Sequence, residues 1–124
     1  MQLILKLIFS LFAVLTTAQA FSQTKVVDGI DLSTQVLLKE CRAYAQSSAA
    51  KTYNQGLCIG IILGVEDNAS YDHKFCIPPN TSIKERITTI ENFIKNNPSY
   101  SDAPFASNVY DALVRKWPCK VTKD

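Results

Sequence analysis

Only one histidine, His73, occurs in the 124 residues, and no two cysteines stand two to four residues apart. The usual spacing of a zinc site is therefore missing, and little in the chain can change charge near neutral pH. Excess charge is missing too. A formal net charge of +2 provides no clustered basic face for nucleic acid. Arg115, Lys116, Lys120 and Lys123 do crowd the C-terminus, where cations suit the dipole of a last helix. There is no Gly/Ser-rich or Pro-rich linker, no internal repeat and no low-complexity tract, so the length fits one small domain. No sustained run alternates apolar and polar residues, so no strand is expected.

What the chain does have begins at its N-terminus. Lys6, an apolar run from Leu7 to Leu15 and then Thr16-Thr17-Ala18-Gln19-Ala20 read as a secretory signal over residues 1–20. The Ala-x-Ala ending predicts cleavage after Ala20 and a mature single domain over residues 21–124, starting at Phe21. The apolar run is too short to span a bilayer, and no cysteine stands at the cleavage site to carry a lipid. Losing Lys6 lowers the formal charge from +2 to +1. Four cysteines, Cys41, Cys58, Cys76 and Cys119, all lie downstream of the signal. An even count in a short exported chain predicts two disulfides rather than metal ligands or nucleophiles.

The apolar spacing predicts four helices and an all-α domain. Leu32, Val36, Leu37, Cys41 and Tyr44 recur at helical intervals after a poorly ordered lead-in at 21–30, with Asp31 or Ser33 as cap and an end near Gln46. After a tight Ser47-Ser48 link, a second helix should run from about Ala49 to Asp67, with Tyr53, Leu57, Ile61 and Val65 on its apolar side. It contains Gly56, Gly60 and Gly64 at four-residue spacing, on one face. Each costs about 1 kcal/mol relative to alanine, so close approach of another backbone is expected in return. Glu66 and Asp67 at its end should point about 100° apart, as a solvated last turn rather than an acid–base pair.

A loop over 68–81 follows. Ser82 and Glu85 form a capping box that opens a third helix carrying Ile83, Ile87, Ile90, Phe93 and Ile94. Asn96-Asn97-Pro98 stops it. Beyond the loop at 97–102, Asp102 should cap a fourth helix with Pro104 in its first turn and Val109, Leu113, Val114 and Trp117 on its stripe. Four cysteines allow three pairings. Antiparallel packing of helices one on two and three on four favours Cys41–Cys58 and Cys76–Cys119. Loop closure would then give about 3 and about 4 kcal/mol respectively.

The run Cys58-Ile59-Gly60-Ile61-Ile62-Leu63-Gly64-Val65-Glu66-Asp67 fits a C-x-G-[hydrophobic]₃-G-x-x-[DE] signature. Phe75-Cys76-Ile77-Pro78, Phe93-Ile94-x-x-Asn97-Pro98 and Ala112-Leu113-x-x-x-Trp117-Pro118-Cys119 follow in order. Over roughly residues 33–120 this resembles the Rap/Tai family, immunity proteins against amidase toxins delivered by bacterial type VI secretion. The resemblance implies a periplasmic, non-enzymatic inhibitor without cofactor or metal, often a homodimer, that blocks the active-site cleft of a peptidoglycan cysteine amidase. It also implies that the signature residues shape the fold, while protruding loops face the toxin. In the family the loop between helices three and four often reads Asp-His-Pro followed by charges. Here it is Asn96-Asn97-Pro98-Ser99-Tyr100-Ser101-Asp102, uncharged before Asp102.

The first candidate surface is thus the loop at 97–102, with Asn97, Ser99, Tyr100, Ser101 and Asp102 and Tyr100 as an aromatic anchor at the tip. The second is the loop at 68–75, with Tyr71, Asp72, His73 and Lys74. Tyr44, Tyr53, Tyr110 and the glycine face are candidate dimer contacts. His73 lies three residues before Cys76, but a nucleophilic pair needs a free thiolate. The order Asp72-His73 is the reverse of that in secreted phospholipases, whose Gly-rich calcium loop is also missing. The rival function is a small periplasmic chaperone or ligand-binding module.

Overall fold

The computed structural model describes residues 26–49 and 51–120; the expected signal at 1–20 lies outside them. Four α-helices make up the described domain: α1 (Thr34–Gln46), α2 (Tyr53–Tyr71), α3 (Ile83–Asn96) and α4 (Phe105–Lys116), with a 3-10 turn at Pro98–Asp102 before α4. α1 packs chiefly on α2 and α3 on α4, and the pairs close through α2–α4 and α1–α3 contacts. Both expected disulfides are present. Cys41–Cys58 joins α1 to α2, and Cys76–Cys119 joins the segment before α3 to the segment after α4, with Cα–Cα distances of 5.5 and 4.8 Å. The first lies wholly inside the core, whereas Cys76 is exposed and Cys119 half-buried.

The core follows the helical stripes. Leu37, Ile62, Ile87, Ile90, Phe105, Val109 and Leu113 are almost completely buried, which is where the apolar surface of each helix is removed from water. Two strands of two residues precede them in this all-α domain, where no strand and a poorly ordered lead-in were expected. β1 (Val26–Val27) and β2 (Ile30–Asp31) pair antiparallel across Asp28-Gly29. Both turn residues have positive φ, 49° and 80°. Asp-Gly is the dipeptide that a tight type I′ hairpin favours, and strands this short leave no periodic signal.

Helix ends also differ from the sequence reading. α2 starts at Tyr53 rather than Ala49, because Thr52 accepts a hydrogen bond from Gln55 N–H while the Gln55 side chain accepts one from Thr52 N–H. That capping box sets the boundary. Lys51 crosses back to donate to the Tyr44 and Ser47 carbonyls at the end of α1, its ammonium 4.4 Å from the centre of the Tyr44 ring. At α3, Ser82 Oγ accepts from Glu85 N–H at 3.1 Å, half of the expected box. Asp102 does not cap α4. It closes the 3-10 turn, and Pro104 occupies the cap position without a side-chain bond. The start of α4 is held instead by Phe105 N–H donating to Leu32 O at 3.2 Å and by a bridge between Ser33 and Pro104.

The expectation that the glycines admit another backbone fails within the described residues. Gly56, Gly60 and Gly64 share a face, but it is the exposed one, and a Cβ built on any of them meets nothing within 4 Å. The buried side of α2 carries Cys58, Ile62 and Ala69. The exposed side also shows Tyr53 and Leu63, 70% and 49% exposed.

Candidate functional site

The 3-10 turn is built inward. Asn97 ends α3 by donating from Nδ2 to Phe93 O at 2.7 Å, which satisfies a last-turn carbonyl. Its own carbonyl accepts from Tyr100 N–H, and the Tyr100 carbonyl accepts from Ala103 N–H, both at 3.0 Å. Tyr100 does not stand at a tip. Its ring lies edge-on to Phe93, centroids 5.0 Å apart at 72°, and it is half-buried along with Asn97 and Ser101. Ser99 and Asp102 are the expected contact residues that remain exposed.

Behind the turn sits Asn108, fully buried on α4. Its Nδ2 donates to Tyr100 O at 2.7 Å and to Thr34 Oγ1 at 2.8 Å, and Thr34 Oγ1 in turn donates to Ala103 O at 2.6 Å. The amide and hydroxyl thus tie the middle of the turn and the residue that follows it to α4 and α1. Asn108 Oδ1 has no partner, a desolvation cost of about 1–3 kcal/mol that the other bonds must outweigh. The sequence reading missed Asn108 and Thr34. A signal was available for the first, since Phe105, Asn108, Val109, Ala112 and Leu113 form one helical stripe and Asn108 is its lone amide.

The segment after α2 is built outward. His73 N–H donates to Ser70 O at 3.2 Å and Lys74 N–H to Ala69 O at 3.0 Å. This pair of bonds is a Schellman motif, in which the residue after the cap adopts the left-handed conformation and is usually glycine. Here it is His73, with φ 52°. Tyr71, Asp72, His73 and Lys74 are all exposed, Tyr71 by 88%. Phe75 then turns in, buried against Tyr110 with ring centroids 6.3 Å apart, and Cys76 N–H donates to Trp117 O at 2.8 Å. The tip is therefore fixed on both sides.

A cavity of about 390 Å³ lies between the end of α2 and the start of α4, with Asn68, Asp72 and Lys74 on one wall and Pro104, Ser107 and Tyr110 on the other. The 71–74 segment contributes Asp72 and Lys74 to this lining, and no residue of the 97–102 loop takes part in it. A second hollow of about 250 Å³ lies between α3 and α4, with Asn92, Phe93, Arg115 and Lys116 among its walls.

Glu66 is not part of a solvated turn. Its carboxylate and the Arg86 guanidinium form a largely buried ion pair at 2.7 Å, without the alignment of a directed hydrogen bond. Burial raises the Glu66 carboxyl above its ordinary value, against the pull of Arg86. A second Arg86 nitrogen donates to Thr81 O, which anchors the segment before α3. Cys76 is engaged in a disulfide, so no Cys–His nucleophile forms with His73. Among the described residues no group of three metal-ligating side chains could hold an ion, and no helix is long and apolar enough to cross a membrane.

No curated protein and no solved structure matches the chain. The family described as Rap1a immunity proteins matches residues 33–119, from the residue before α1 to the last cysteine and so across all four helices and both disulfides. The chain belongs to the Rap1a immunity protein family.

Proposed function

We propose that this protein neutralises a peptidoglycan-cleaving amidase toxin of a type VI secretion system, acting in the periplasm after cleavage of its signal at Ala20. The observation that carries this reading is the family match over residues 33–119, because immunity implies a toxin partner. The N-terminal signal pattern and two disulfides support an oxidising compartment. The protein acts by binding and without catalysis: it covers the enzyme's cleft, with no cofactor of its own. The surface it uses includes the 71–74 tip, whose Asp72 and Lys74 line the cavity, and the exposed Ser99 and Asp102 of the turn that leads toward α4.

Two copies associate through the outer face of α2. Gly56, Gly60 and Gly64 leave room for a second backbone there, and Tyr53 and Leu63 supply apolar area that the protomer leaves uncovered. A second reading, a ligand-binding module, draws on the 390 Å³ cavity, whose size falls within the range of small-molecule sites. One experiment separates them. Tagged residues 21–124 are expressed in the host periplasm, recovered under stringent washing, and the retained proteins identified by mass spectrometry. One stoichiometric peptidoglycan amidase is expected. Only unrelated clients, or a small molecule in the cavity, would reject the immunity reading.

A further inference from the structure

We infer that the α2 C-terminal tip, Tyr71 and His73, is the anchor that enters the partner enzyme's recess, and that the 98–102 turn serves as a fixed shoulder beside it. This rests on the toxin-neutralising reading above and names the surface that performs it.

The first observation is the distribution of unused side chains. In the turn, the Tyr100 ring packs on Phe93, and the Asn97 amide and the Tyr100 and Ala103 carbonyls are all bonded internally. At the tip, the side chains of Tyr71, Asp72 and His73 meet no partner among the described residues. Tyrosine combines a large rigid apolar area with a polar end, which is why it dominates binding hot spots. At 88% exposure, Tyr71 has nearly all of that area still to bury.

The second observation is independent of exposure. His73 holds φ 52° at a position where glycine would carry no penalty. Its imidazole makes no hydrogen bond, ion pair or ring contact among the described residues that would offset this. A strained backbone position occupied by an idle side chain is accounted for by contact outside the chain. The third is stiffness. The Schellman bonds on one side and buried Phe75 with the Cys76–Cys119 bridge on the other hold the tip in place before binding, which lowers the entropy lost on association. The matching surface on the partner is a recess with apolar walls for the phenol ring and a polar group at its mouth for the imidazole.

The test uses the full chain and the amidase recovered with it. Tyr71→Ala and His73→Gly should each weaken inhibition, Tyr71→Ala by about 30-fold or more. Ser99→Ala and Asp102→Ala should weaken it less than either, and the control Lys84→Ala, at an exposed position of α3, should change it by less than about 3-fold. His73→Gly is decisive, because a merely structural role would leave binding unchanged or improved once the strain is relieved. Full inhibition by both tip variants, with loss at Ser99 or Asp102, would overturn the inference and leave the amidase reading intact. Should the wild-type chain inhibit no amidase, a benzoylphenylalanine crosslinker at position 71, compared in cells with positions 53 and 99, decides separately. One defined heterologous adduct confined to position 71 would uphold the tip as an interface for another protein. No adduct there would overturn it.

Discussion

Two connecting segments of similar length leave the bundle, and they are built in opposite ways. The 98–102 turn spends its polar groups on its own protomer: Asn97, Tyr100 and Ala103 are tied to Phe93, Asn108 and Thr34. The 71–74 tip fixes only its backbone and leaves its side chains in water. A loop of the first kind contributes to stability, and its exposed crest is small. A loop of the second kind contributes almost nothing to stability and is free to contribute to binding.

That contrast is most easily broken at Asn108. Asn108→Ala removes the bond to the Tyr100 carbonyl in the turn and the bond to Thr34 Oγ1 on α1, and should cost about 2 kcal/mol in urea unfolding, with faster amide exchange across residues 99–103. A loss under about 0.5 kcal/mol would mean that the network does not hold the turn. Tyr100→Ala should also destabilise, by about 1–2 kcal/mol through its lost packing on Phe93. Weakened toxin binding in that variant would therefore need to be separated from lost structure.

The outer face of α2 sharpens the same distinction between protomer and partner. Gly64→Ala should stabilise the protomer by about 1 kcal/mol, since a Cβ there meets open space. The same change should weaken self-association in sedimentation if a second backbone comes close. Stabilisation with unchanged association would place the dimer contact elsewhere.

At the tip, His73→Gly should raise stability by up to about 1 kcal/mol by relieving the left-handed strain, while Tyr71→Ala stays within about 0.5 kcal/mol of the parent. Chemical denaturation would measure both. A large loss at either position would show the tip to be structural.

Glu66 gives the smallest effect, and its sign is set by burial. The folded carboxyl titrates above the ordinary 4.5, so the folded state binds more protons than the unfolded state between those two values. Stability from this group is full below about pH 4.5 and falls as pH rises through the folded value. Unfolding midpoints measured upward from pH 4.5 should decline less steeply in Glu66→Gln than in the parent.

The four helices, both disulfides and the core stripes of α3 and α4 were legible in the sequence, because helical periodicity and cysteine position are properties of the chain itself. On α2 the expected side was misplaced, since Tyr53 is 70% exposed and the buried residues are Cys58, Ile62 and Ala69. Boundaries were less so. Ala49 was placed in α2, since nothing short of the Thr52–Gln55 exchange marks where that helix starts. The glycine face illustrates a deeper limit: spacing identified which residues share a face, but not whether that face turns in or out. At the site, aromatic residues drew attention to both loops. Only packing shows that Tyr100 folds onto Phe93 while Tyr71 stands free, and only backbone geometry shows that His73 is strained.

The central claim, that this chain neutralises a peptidoglycan amidase, is tested most directly by titrating mature protein (residues 21–124) into the recovered amidase while following peptidoglycan cleavage. Activity should fall linearly to zero at one protomer per enzyme. Cleavage that continues undiminished at several equivalents would contradict the account.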